Sequence, residues 1–391
     1  MTDLDNYIKN NLHKITIDKL DTKMIGIVNL GNTCYLNSIL QILLNTNEII
    51  EFFKDSKIIK FLYIFIQNNL SEDKHNYSKI ITNCSYTLSY QLYKLLNSKN
   101  ILLKPINFIK ILSNFNNIFY ENIQHDAHEA LQFILDRIHI ELETNVDIEY
   151  NDKIDNILYI KDAIEQNFKI SYSIIKDIFS YIYIESLKCN ECNYISYKNG
   201  FEYIIFLEIF IDENTINKKL SEFSNLDDNK KSYIKNNITS NLKISIYDCL
   251  DNYTKDEILD NSNKWICPIC NKYVNAIKKI NFLIPPKLLI IVIKRFNDNL
   301  NKYYNVVNFP LENFSLKSYL HETSRDLYDH IYDLYGVVNH IGTINKGHYF
   351  TFIKKNIKWY CLNDEKIIEI RDSNVISQHA YILFYRLRIF S

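Results

Sequence analysis

Cys34 directly follows Asn32 and Thr33, two residue types that cap helix N-termini, and precedes apolar residues at 36, 39, 40, 43 and 44. That spacing predicts a helix with the thiol in its first turn. Unpaired N–H groups and the helix dipole favour a thiolate there, and the thiolate is the nucleophilic form. Gly31 lets the chain turn sharply into the helix. An isolated cysteine of this kind is more often a buried core residue. A second segment, roughly 300 residues later, changes the balance: GHYFTF (347–352) places His348 in strand-like surroundings, with His340 upstream. A thiol and an imidazole are a nucleophile and its base. Five of the 6 glycines, at 26, 31, 336, 342 and 347, lie in the stretches 26–41 and 335–352 around these two groups. In an extended chain the segments would lie on the order of 1,000 Å apart, so only a fold that closes a long loop unites them.

Other residues extend the chemistry. An imidazole base needs an acceptor that fixes its tautomer, and KWYCLNDEKI (358–367) offers Asn363 and Asp364. The Asn-Asp dipeptide is also a turn former. QHDAHEAL (124–131) carries Asp126 and Glu129 at a helix start, where acids are favoured in any protein. Two CxxC pairs, Cys189/Cys192 and Cys267/Cys270, supply four thiols. Four thiolates suit a structural, tetrahedral zinc. The gap between the pairs exceeds that of a compact zinc ribbon, so a redox pair or coincidence stays open on spacing alone. Cys84, Cys249 and Cys361 read as small buried hydrophobes.

The elements that must position these groups divide by composition. Residues 25–140 read mainly as helix, with a second helix through Leu131, Phe133, Ile134, Leu135 and Ile138. Residues 141–170 are mixed and charged. From about 178 the chain is β-branched and aromatic, with strands expected at 178–189, 201–210, 288–296, 332–340, 348–355 and 380–387. The polar stretch 212–241 reads as a flexible loop insertion. Helices first and strands later imply an α+β fold. The chain of 391 residues has 45 basic and 46 acidic residues, a balance that gives no basis for a nucleic-acid partner. The N-terminus lacks a signal-peptide pattern, and the apolar stretch 58–67 is too short to span a bilayer. The expectation is a soluble cytoplasmic or nuclear protein without membrane attachment, in which disulfides are not expected.

GIVNLGNTCYLNSILQ (26–41) resembles the cysteine box of the ubiquitin-specific proteases, papain-like deubiquitinating cysteine peptidases. The match includes Gly26, Asn29, Leu30, Gly31, Asn32, Thr33, Cys34, Tyr35, Asn37, Ser38, Leu40 and Gln41. GHYFTF resembles the family's histidine box and QHDAHEAL its thumb-helix motif. Segments 288–296, 305–314 and 380–387 resemble palm strands, so the likeness covers about residues 25–387. It implies an α+β papain-like fold with thumb (25–170), zinc-bearing fingers (185–285) and palm (171–184 and 286–391) after an N-terminal extension (1–24). It implies Cys34 as nucleophile, His348 as general base, Asn363 as its orienter with Asp364 as runner-up, and Asn29 as oxyanion donor. Substrate-side roles fall to Asp126, Glu129, Gln124, His340, Gly347 and Tyr349. Zinc would be held by Cys189, Cys192, Cys267 and Cys270 as a structural ion, with no catalytic cofactor. Two departures stand out: Ala130 occupies a place that is usually aromatic, and FSY (179–181) lacks the usual glycine. The implied activity is hydrolysis after the C-terminal glycine of ubiquitin through an acyl-thioester. The alternatives are a silent ubiquitin-binding scaffold or a protease for another ubiquitin-like modifier. The implied partners are ubiquitin, ubiquitinated proteins and a β-propeller activator.

Overall fold

The computed structural model of the chain describes residues 24–54, 87–119, 123–148, 158–211, 213–222, 242–296, 301–343 and 346–388, and between 230 and 239 only 230–231, 234–235 and 238–239. Nearly all of the expected N-terminal extension, the apolar stretch 58–67 and Cys84 lie outside the described residues. The chain forms two compact units, each drawing on two separated stretches: Met1–Phe179 with Val338–Asp372, and Ser180–Val337 with Ser373–Ser391.

In the first unit, the helix Cys34–Leu44 is buried at every position from Cys34 to Leu43. The expected apolar stripe is therefore only part of the picture, because a helix enclosed on all sides is central rather than amphipathic. The helix Ala127–Leu142 and the strand Gly347–Lys355 pack against it. The Ala127–Leu142 helix begins four residues before the predicted apolar face, because Asp126 caps it by accepting the His128 N–H. Ala130, where an aromatic was expected, is fully buried beside Leu131, Ile134, Leu135 and Ile138. In the last turn, the buried Glu141 carboxylate accepts the N–H groups of Leu88 and Ser89 and the Ser89 hydroxyl. It thereby anchors the N-terminus of the helix Leu88–Leu96. Residues 141–170, read as mixed, contain the helix Leu158–Phe168.

The strands of this unit form a meander. Gly347–Lys355 pairs antiparallel with Lys358–Asn363, from Thr351↔Leu362 to Lys355↔Lys358. Lys358–Asn363 pairs in turn with Lys366–Ile370, ending on Asn363↔Lys366. That register leaves Asp364 and Glu365 as a two-residue turn, with Asp364 in the left-handed region at φ 49°. An acidic or amide residue tolerates this conformation because its short polar side chain bonds locally.

In the second unit, Ile195–Glu202, Tyr181–Cys189, Ala276–Ile284 and Glu257–Leu259 lie side by side in that order, all pairs antiparallel. A further ladder joins Ala380–Leu387, Leu288–Lys294 and Ile204–Glu208, the last pair parallel. Leu288–Ile293 is buried throughout, as expected of a strand covered on both faces. Two sequence readings are corrected here. The stretch 178–189 opens as the end of a helix, Ile174–Phe179, before the strand starts at Tyr181. The stretch 201–210 is split, since Ile195–Glu202 and Ile204–Glu208 belong to different sheets. The alternating pattern continued across Tyr203 because both strands are aromatic and β-branched, and local pattern does not encode pairing partners. The polar stretch expected as a loop contains the helix Glu213–Ser221, held by the buried Ile216. Ser180, at the site of the missing glycine, is not in the left-handed region, so no glycine is required there.

Among the described residues, no helix is long and apolar enough to cross a membrane.

Candidate active site and candidate metal centre

Strand register explains how Asn363 finds His348. Leu362 lies opposite Thr351, which puts Asn363 one residue past the end of that ladder and diagonal to residue 348, whose side chain shares a face with residue 350. Asn363 Oδ1 lies 2.6 Å from His348 Nε2. With Nε2 so engaged, the other ring nitrogen is left for the thiol. Interaction with Cys34 is the main reason why the imidazole is pushed up to about 9, working against burial and helped by Asn363 and the charge of Asp364. The strand is tied to the thiol helix by Thr351 Oγ1, which donates to the Ser38 carbonyl at 3.1 Å. Cys34 itself is 3% exposed. Burial pushes its neighbour Tyr35 up to about 12.

Thr33 occupies the N-cap position, as expected, but its side chain does not cap the helix. Its hydroxyl accepts the Leu30 N–H at 3.0 Å and donates to Asn29 Oδ1 at 3.3 Å. Asn29 Oδ1 also takes the N–H groups of Gly31 and Thr33. Gly31, at φ 101°, makes this tight loop possible. With the carbonyl end consumed, the Asn29 amide N–H₂ points outward. One of its two hydrogens reaches Asp364 Oδ2, with Nδ2···Oδ2 at 2.9 Å. Asp364 Oδ1 takes the buried Asn37 amide at 2.8 Å. Asp364 thus serves the Asn29 side, while Asn363 serves the imidazole.

Asn37 and Thr33 were not foreseen as functional. The available signal was polar residues inside an apolar helical run, where each needs a partner. Gln41, on the same helix, donates to the Ile25 carbonyl at 2.8 Å.

The expected substrate-side residues divide. Asp126 and Glu129 stand at the start of the Ala127–Leu142 helix, with Glu129 exposed. Asp126 Oδ1 accepts the His128 N–H at 2.9 Å and lies 2.9 Å from His128 Nδ1. His340 and Tyr349, expected at the substrate tail, are buried at 4% and 8% exposure with their rings 4.6 Å apart. Gly347 is seated directly on His340, whose Nε2 occupies the space that a Cβ would need. Gln124, also expected to touch substrate, spends both ends of its amide on Gly347: Nε2 donates to the carbonyl at 3.0 Å and Oε1 accepts the N–H at 3.1 Å.

In the second unit the two CxxC pairs converge. Each lies at the turn of an antiparallel pair, Tyr181–Cys189 with Ile195–Glu202 and Trp265–Cys267 with Lys272–Val274. The turns repeat one design. The backbone N–H of the residue after each second cysteine, Asn193 or Asn271, bonds to the carbonyl of the first. Both asparagines are left-handed, at φ 59° and 52°. The Cys189 sulfur receives the N–H groups of Cys192 and Glu191, and the Cys267 sulfur receives that of Cys270. Such bonds favour thiolate, and they draw Cys189 down to about 7. The four sulfurs lie within 4.8 Å of one another, with Cys189–Cys270 at 3.9 Å and Cys192–Cys267 at 3.6 Å. Tetrahedral coordination at about 2.3 Å per bond requires sulfurs about 3.8 Å apart. The cluster therefore fits a metal ion. Of the remaining cysteines, Cys249 is buried and Cys361 is half-buried, where desolvation pushes its thiol up to about 11.

A cysteine acting on a histidine that is itself held by an asparagine is the arrangement of a thiol hydrolase. The chain belongs to the ubiquitin carboxyl-terminal hydrolase family, whose sequence profile matches residues 25–385. Ubiquitin carboxyl-terminal hydrolase 4 of Saccharomyces cerevisiae (strain ATCC 204508 / S288c) is 29% identical over 392 residues, covering 92% of this chain and 39% of that protein. Ubiquitin carboxyl-terminal hydrolase 2 of Homo sapiens is 28% identical, covering 93% and 55%. Probable ubiquitin carboxyl-terminal hydrolase R319 of Acanthamoeba polyphaga mimivirus is 28% identical, covering 98% and 92%. The chain thus spans less than half the length of the yeast relative. Among solved structures, the SAGA Ubp8/Sgf11/Sus1/Sgf73 DUB module bound to ubiquitin aldehyde shares the fold, with a TM-score of 0.63 at 22% identity over 99% of this chain and 76% of that one.

Proposed function

We propose that the chain is a deubiquitinating thiol hydrolase that cleaves the bond after the C-terminal glycine of ubiquitin. The observation that carries this is the single imidazole held by Asn363 at 2.6 Å and influenced above all by Cys34. Cys34 Sγ attacks the glycine carbonyl as a thiolate, with its proton held on His348. The developing oxyanion is met by the outward Asn29 amide, whose second hydrogen is not needed by Asp364, and by the Cys34 N–H, which has no carbonyl within its helix to bond. His348 then gives its proton to the departing amine as the C–N bond breaks, leaving a thioester on Cys34. Water attacks the thioester with His348 taking its proton, and the thiolate leaves. Asn363 holds the ring through both halves of the cycle.

Within this reading, Asp126 and Glu129 offer carboxylates to the arginines of the ubiquitin tail. The thumb, palm and fingers assignment of the sequence is part of the same reading. Cys189, Cys192, Cys267 and Cys270 hold a structural zinc, which closes the two hairpin turns and takes no part in proton transfer. An activating β-propeller partner rests on the resemblance alone, and a turnover rate indifferent to such a partner would remove it.

The test is Cys34→Ala. Hydrolysis of a ubiquitin C-terminal fluorogenic amide is expected to vanish while ubiquitin binding survives. Full activity in that variant would sink the proposal.

A further inference from the structure

The strand that carries His348 pairs with Ile331–Gly342 on one side, but its other side is open at its beginning. Its ladder with Lys358–Asn363 reaches only to Thr351, so Gly347 and His348 project beyond that support. The tie to the thiol helix through Thr351 is also further along the strand. At Gly347 itself, the residue before the imidazole, two groups intervene. His340 fills the space beneath it. Gln124, from the loop that leads into the Ala127–Leu142 helix, closes a two-bond ring with it. A primary amide presents a donor and an acceptor side by side, as a peptide group does. The Gln124 side chain therefore acts as one residue of an added strand, pairing with the Gly347 backbone where the Lys358–Asn363 ladder has ended.

We propose that Gln124 is a positioning residue, which holds the start of the histidine strand in register through Gly347 and so fixes His348 against Cys34. The proposal rests on the assignment of Cys34 and His348 as the reacting pair. It departs from the expectation that Gln124 binds substrate, because both ends of its amide are engaged within the chain. A misplacement of about 1 Å at a reacting group is enough to cost a large part of the rate. Loss of the ring is therefore read in turnover rather than in substrate affinity.

The experiment compares wild type with Gln124→Ala, Gln124→Met and Gln124→Glu. Met keeps the length of the side chain but makes neither bond, while Glu keeps the acceptor for the Gly347 N–H but not the donor. Two readouts are taken on each. The first is steady-state hydrolysis of a ubiquitin C-terminal amide. The second is the pH–rate profile for alkylation of Cys34 by iodoacetamide, without ubiquitin. Ala and Met are expected to lower kcat about tenfold with KM unchanged and to slow alkylation by a similar factor, because a displaced imidazole takes the thiol proton less well. Glu is expected to fall between them and wild type. Thermal unfolding identifies any variant that has not folded, and the other two then decide.

A raised KM with unchanged kcat and an unchanged alkylation profile would make Gln124 a substrate contact and overturn the proposal. Wild-type behaviour on both readouts would overturn it as well. If the wild-type chain hydrolyses no ubiquitin amide, the functional reading fails, while the alkylation profiles still decide the role of Gln124.

Discussion

Single side chains divide the labour at this site in a way that neighbours in sequence do not advertise. Asn363 and Asp364 are adjacent, yet one holds the imidazole and the other holds Asn29 and Asn37. Asn363→Ala is expected to reduce kcat by roughly 10²-fold, within the range for disabling a general acid–base group, with little change in KM. Asn29→Ala is expected to cost about 10²–10³ in kcat, as for loss of one oxyanion donor. A larger effect on KM than on kcat would argue against either role. The pH dependence follows from His348, which titrates near 9 when folded and near 6.5 when unfolded. Because the folded value is the higher one, its contribution to stability is fully present below about pH 6.5 and is lost as pH rises through about 9. Comparing the thermal midpoints of wild type and His348→Gln should show the largest gap at pH 6 and none above about pH 9.5. Hydrolysis should decline over the same upper limb, as the imidazolium that protonates the leaving amine is lost. An activity plateau extending to pH 10 would contradict this.

At the scale of elements, the local pattern carried far but not across partners. The strand Ala380–Leu387 has the bounds expected from its β-branched run, and the stripe after Cys34 announced the helix Cys34–Leu44. What the stripe could not announce is that the polar residues of that helix are buried too and point at defined acceptors, of which Asp364 lies 327 residues from Asn37. Asn37→Ala removes one support of Asp364 in a buried place. It should cost about 1–3 kcal/mol in denaturant unfolding, the penalty for an orphaned polar partner. The split at Tyr203 was equally illegible, since choice of sheet is a long-range event. The cysteine pairs were visible as pairs, but their convergence was left open by the wide gap between them. It is settled by two turns of one design on separate hairpins. With zinc as the ion, one equivalent per chain should be released when the thiols are blocked, measured with a chromogenic chelator. Cys192→Ser should lower the thermal midpoint on the order of 10 °C, as loss of several kcal/mol would in a unit of this size. No metal release together with an unchanged midpoint would remove the site.

On the scale of the molecule, an α+β architecture could be read from helices preceding strands, but the route of the chain could not. The first unit begins with residues before Phe179 and is completed only by Val338–Asp372, after the chain has supplied most of the second unit. Joining such distant segments closes a very long loop, at an entropic cost that must be met before the contacts form. The route also orders events during synthesis. The imidazole and its asparagine leave the ribosome roughly 300 residues after the thiol. A nascent polypeptide therefore carries a sulfur with no base while that whole stretch is made. Chains arrested before residue 348 should stay unmarked by an electrophilic ubiquitin probe that marks the finished protein. Incomplete products are thus kept inert by the order in which their parts are made.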